Sequence, residues 1–143
     1  MAYLIGLHQL SAVIWVGGMF VAYFAVRPAS ASLDPSSRFL LWKNIGSKFF
    51  PIVGIACIAL VGTGYAIIFE YSGGFSNAGI HVHIMQLTGW LMIGLFGHLI
   101  AVPYRKLCKS VNKGNNEESA IAIAGMRRII AINLILGVAT VLI

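Results

Sequence analysis

Four stretches of this chain carry no Lys, Arg, Asp or Glu: residues 2 to 26, 49 to 69, 71 to 104 and 129 to 143. About 20 apolar residues in a helix cross a bilayer core of about 30 Å, and inside that core only helices or closed barrels satisfy their own backbone. The runs therefore predict an all-α, polytopic membrane protein. It reads as a single four-helix bundle over residues 1–143, with spans at about 2–26, 49–69, 82–103 and 126–143. The first run has no basic leader and is longer than the apolar core of a signal peptide, so it reads as a span. The fourth is short, and its helix is expected to begin earlier, in SAIAIAGMRR. Only 10% of the residues are charged, against about 25% in soluble domains, which agrees with burial in lipid.

The formal charge of +6 could suggest nucleic acid, but its placement argues for a membrane. All ten basic residues fall in two segments. Arg27, Arg38, Lys43 and Lys48 follow the first span; Arg105, Lys106, Lys109, Lys113, Arg127 and Arg128 follow the third. Basic loops stay in the cytoplasm. This predicts both basic segments inside, the N- and C-termini outside, contact with the lipid bilayer, and no nucleic-acid partner. Between the spans, RPASASLDPSSRF reads as a connection in which Pro28 and Pro35 stop a helix. EYSGGFSNAGIHVH reads as a Gly-rich outer loop, and KSVNKGNNEES as a polar inner loop leading into the last helix. Cys57 and Cys108 form no Cys-x-x-Cys motif and read as small apolar fillers.

An internal repeat is the most informative pattern. The first span reads HQLSAVIWVGGMFVAYFAV and the third HIMQLTGWLMIGLFGHLIAV. His8 aligns with His83 and Trp15 with Trp90. After one inserted residue, Gly18 aligns with Gly94, Phe20 with Phe96, and Ala25-Val26 with Ala101-Val102. We read two helix hairpins in the same orientation, a parallel repeat about an axis along the membrane normal.

Histidine inside lipid is costly and normally faces the bundle with a partner. At a rise of about 1.5 Å per residue, His8 lies about 9 Å in from the outer end. Seven residues return to within about 20° of the same helix face, so each Trp is expected beneath its His. Ser11 and Gln86, three residues from the histidines, add polar groups nearby. Two imidazoles on facing helices suit b-type haem, with His8 and His83 as axial ligands near the outer face. Gly18 and Gly94 would make room for the ring, and Trp15 and Trp90 would pack on its edge. Tyr3, Tyr65, Tyr71, Ser72 and His81 would serve the propionates. Copper is the alternative cofactor, held by His8, His81 and His83 with Met1 and Met85 nearby. In an extended loop, His81 and His83 would share a face and form a clasp. A third reading is a structural or assembly subunit with packing histidines. His98 has no repeat partner and lies about 22 Å below His83. Asn133 is expected to make an interhelical hydrogen bond. No Asp or Glu lies within a span, and no Gly-x-Ser-x-Gly, P-loop or His-Glu-x-x-His occurs, so hydrolytic chemistry has no support.

HQLSAVIWVGGMFVAYFAVRP, GWLMIGLFGHLIAVPYRKL and MRRIIAINLILG resemble the short, four-helix members of the copper-resistance D (CopD) family, over nearly the whole chain. That resemblance implies a bacterial inner-membrane protein linked to copper handling, with histidines at the outer side. The His-x6-Trp-x2-Gly-x-Phe pattern from His8 to Phe20 is also similar to that of the HemJ-type protoporphyrinogen oxidases, which are membrane haem proteins. Their first-span haem ligand carries over to His8. Their third-span functional lysine falls near His83, where this chain keeps a ligand but lacks the lysine. The expected function is thus a b-type haem protein in electron transfer or redox chemistry, with a redox partner or copper-handling protein on the outer side. The sequence assigns no particular reaction, and it is compatible with an oligomer.

Overall fold

The computed structural model describes all residues, Met1–Ile143. It contains four long helices and no strand. Helix α1 spans Ala2–Ser30, α2 Pro35–Ser72, α3 Ile80–Asn112 and α4 Asn116–Leu142; each is long and apolar enough to cross a membrane. The expected spans lie within these helices, but α2 begins earlier than its uncharged run and α3 continues past Arg105. Only 23 of 143 residues are buried, and about half of the Leu, Ile, Val and Phe residues are exposed, as a lipid-facing surface requires.

The prolines behave differently from the sequence expectation. Pro35 starts α2 rather than stopping a helix. It occupies the first turn, where a missing N–H costs nothing, and Asp34 caps the end by accepting the Ser37 N–H at 3.1 Å. Pro28 does not end α1 either. The turn before it, Ala22–Val26, is a π-type turn, and the helix continues to Ser30. Pro103 likewise lies in a π-type turn, Ile100–Tyr104. A proline ring crowds the carbonyl four residues back, and a widened turn relieves that crowding. The polar inner loop is also shorter than expected. The chain turns at Lys113–Asn115, with Gly114 at φ 68°, and the Asn115 side chain accepts the Glu118 N–H at 3.1 Å to open α4.

Helix α1 packs along α2, and α3 along α4. Helix α4 also touches α1 and α2, while α2 and α3 meet where α3 runs beyond its π turn. One core cluster gathers Trp15, Met19, Val53, Cys57, Met92 and Leu134. A second, nearer the basic loops, gathers Phe39, Leu99, Leu107, Ala122 and Met126. Phe50 and Phe96 join the two, with ring centroids 5.7 Å apart. Beyond them, Ser110 and Ser119 share a buried hydrogen bond of 2.8 Å that ties α3 to α4. The expected role of Asn133 is met: its Nδ2 donates to the Met92 carbonyl at 3.2 Å, again between α3 and α4.

Candidate functional site

In the half of the bundle away from the basic loops, polar groups meet one stretch of α2, Thr63–Gly64–Tyr65. His8 approaches it from α1. Its Nδ1 lies 2.9 Å from Thr63 Oγ1, which in turn donates to the Ala59 carbonyl at 2.6 Å. A hydroxyl has one proton. When that proton is on Ala59, Thr63 accepts from His8 Nδ1–H, and in that tautomer Nε2 keeps its lone pair. Gly64 is what lets the ring lie there. A methyl group in its place would come within 3.3 Å of His8 Cε1. Ser11, one turn from His8, is buried and donates to the Leu7 carbonyl at 2.8 Å, so it is spent within α1.

From the other side, α3 reaches Tyr65. Gln86 Nε2 donates to the Tyr65 hydroxyl at 2.9 Å and Trp90 Nε1 at 3.4 Å. That hydroxyl has received two donors, so its own proton remains for a further acceptor. His83 shares a helix face with Gln86 and Trp90, but it is exposed and makes no side-chain hydrogen bond. Thus two residues of α2 serve two helices: Thr63 meets His8 of α1, and Tyr65 meets Gln86 and Trp90 of α3.

The matched residues of the two halves meet different surroundings. Trp15 is 3% exposed and packs edge-on against Phe96 at 5.9 Å, whereas Trp90 is 51% exposed. A side chain on Gly18 would run into the Phe49 ring; one on Gly94 would meet open space. Phe20 is exposed, while Phe96 packs between Trp15 and Phe50. The face of α3 that carries His83, Trp90, Gly94 and His98 points away from the core, and the face of α1 that carries His8 and Trp15 points into it.

The extended His81-x-His83 clasp does not form, because α3 begins at Ile80. On a helix, residues two apart point about 200° from one another. The His81 ring folds back over Gly79 instead. No group of three or more His, Cys, Asp or Glu gathers in metal-binding proximity. The sequence reading missed Thr63. Its signal was a hydroxyl flanked by glycines, GTG at 62–64, inside an otherwise apolar run.

The arrangement as it stands offers one oriented imidazole with a free Nε2, a hydroxyl proton at Tyr65, and an aromatic wall below at Trp15. Comparison of the chain with protein-family models, with characterised proteins and with solved structures finds no match.

Proposed function

We propose that this chain is an integral membrane protein that holds a b-type haem near its outer end, with His8 Nε2 as one axial ligand, and that it works in electron transfer. The observation carrying this reading is the 2.9 Å contact between His8 Nδ1 and the Thr63 hydroxyl, in the tautomer where Nδ1–H donates. An imidazole whose second nitrogen is tied to a hydrogen-bond acceptor is oriented, fixed in tautomer and made more basic, as metal-binding histidines usually are. A haem so held supplies one-electron chemistry. In this proposal His8 binds the metal, Thr63 holds the ring, Gly64 leaves the ring its space, and the Tyr65 proton meets a carboxylate. His83 is the second imidazole of the proposed pair, with Trp90 beside it. The resemblance to HemJ-type proteins points the same way, and the CopD-like resemblance favours the copper alternative. With it go a bacterial inner membrane, termini on the periplasmic side, basic loops in the cytoplasm, and a redox partner at the outer face.

The visible spectrum of the purified protein tests the cofactor. A Soret band with sharp reduced α and β bands is expected; a colourless protein carrying copper would replace haem with the copper reading. His8→Ala should abolish haem binding or leave it high-spin. His83→Ala should convert a low-spin spectrum to high-spin, and an unchanged low-spin spectrum would remove His83 from the ligand pair. His98→Ala should change neither. Full cofactor retention in both His8→Ala and His83→Ala would leave a structural subunit with packing histidines. A reporter active only in the cytoplasm, fused after Ile143, should stay silent; activity would move the site to the inner face.

A further inference from the structure

An open cavity lies at the opposite, basic end. It has a volume of about 680 Å³ and opens between the end of α1, the start of α2 and the first half of α4. Three arginines line it, one from each helix: Arg27, Arg38 and Arg127. Two are braced by aromatic rings. The Arg27 guanidinium lies 4.9 Å from the Tyr23 ring centre, and that of Arg38 lies 5.3 Å from Phe39. None of the four carboxylates of the chain comes within 4.0 Å of an arginine nitrogen. Asp34 is engaged at the α2 cap, Glu117 and Glu118 begin α4, and Glu70 is at the far end. Three arginine side chains thus border one space with no anion from the chain itself.

Below the arginines the walls are apolar, with Phe24, Phe39, Trp42, Ile123 and Ile130 among them. The π-type turn Ala22–Val26 supplies part of this wall, and such turns often mark functional sites. A small soluble anion would use the arginines and leave the apolar depth empty. An amphiphile would use both. Basic pockets between spanning helices on the positively charged side are suited to anionic lipid headgroups.

We propose that this cavity is a binding site for one anionic phospholipid. The phosphate is held by Arg27, Arg38 and Arg127, and the first part of an acyl chain lies against Phe24, Ile123 and Ile130. The site is independent of the outer histidines and does not rest on the haem proposal.

Native mass spectrometry of the full chain in detergent, titrated with phosphatidylglycerol, phosphatidylcholine or inorganic phosphate, tests it. One phosphatidylglycerol per chain is expected to bind in preference to phosphatidylcholine. Arg27→Gln, Arg38→Gln and Arg127→Gln should each weaken it about fivefold. Arg127→Lys keeps the charge but loses the planar fork, and should weaken it less than Arg127→Gln. Lys48→Gln, outside the cavity, should leave it unchanged. Circular dichroism on each variant confirms that the helices persist, and the Lys variant carries the test if a Gln variant unfolds. Equal retention of both lipids, arginine variants that bind like the parent, or displacement by inorganic phosphate at equal concentration would each overturn the proposal, the last in favour of a free-phosphate site.

Discussion

Helices α1 and α3 carry nearly the same pattern of His, Trp, Gly and Phe, yet they use it in opposite ways. In α1 the patterned face looks inward. His8 meets Thr63, Trp15 joins the core cluster, and Gly18 receives the Phe49 ring. In α3 the same face looks outward, with Trp90 half exposed and Gly94 against open space. The core face of α3 is built from Met92, Phe96 and Leu99, of which only Phe96 belongs to the pattern. Residue type along a helix therefore states what the helix could do. Which face is used depends on what the neighbouring helix presents. Only α2 offers a hydroxyl flanked by glycines, and it offers it to α1.

The sharpest way to break this contrast is at the tryptophans. Trp15→Ala should cost about 3–5 kcal/mol, the usual loss for a buried large aromatic, because the cavity it leaves lies among Met19, Val53, Met92 and Phe96. Trp90→Ala should cost much less, with one long hydrogen bond lost. Reversible unfolding in mixed detergent would measure both. Equal losses would mean that α3 is rotated inward in the membrane.

The hydrogen-bond partners sharpen the contrast next. If His8 is a ligand, Thr63→Val should lower cofactor affinity by about 10–100-fold, as removing an outer partner of a metal-binding histidine usually does. Tyr65→Phe, which frees Gln86 and Trp90 on the other side, should have a smaller effect. A titration of the apoprotein, followed in the visible region, would compare them. The glycines follow. Gly18→Ala forces Phe49 to move and should destabilise by about 1–3 kcal/mol. Gly94→Ala meets nothing and should be neutral, or stabilising by up to about 1 kcal/mol through helix propensity.

The smallest effect is a control that touches neither helix. The Ser37 side chain and N–H hold the Asp34 carboxyl below its ordinary range. A carboxyl lowered on folding adds stability that is complete above its unfolded value of about 3.9 and fades as pH falls through its lower folded value. Melting curves taken below pH 5 should show a slight loss that Asp34→Asn does not share, because Asn caps without titrating.

Much of the fold was legible because it follows from solvent. Four uncharged runs in lipid must become helices, although α4 begins at Asn116, inside the stretch read as a loop. Pro28 was misread because a helix can widen by one residue and continue, and Pro35 because proline is also suited to a first helical turn. At the site, the importance of His8 was visible in one span alone, since an imidazole in lipid needs a partner. Its partner was not visible, because Thr63 lies 55 residues away and the choice is made by packing. The symmetric role of His83 was drawn from the repeat, and the repeat carries no information about helix rotation. The arginine cavity was hidden for a related reason. Arg27, Arg38 and Arg127 read as parts of two basic loops until three helix ends bring them to one space.

Three π-type turns have a mechanical consequence. Val13–Gly17, Ala22–Val26 and Ile100–Tyr104 interrupt the regular ladder in α1 and α3. The last two stand just before, or around, a proline, where the backbone has fewer bonds to resist bending. Helices α2 and α4 carry no π-type turn. Helix α2 is interrupted instead by Pro51, which removes one ladder bond within the span, so α4 alone has neither kind of interruption. The bundle is thus one unbroken rod beside three jointed ones, and amide hydrogens at residues 13–17, 22–27 and 100–104 should exchange ahead of those in the regular turns beside them.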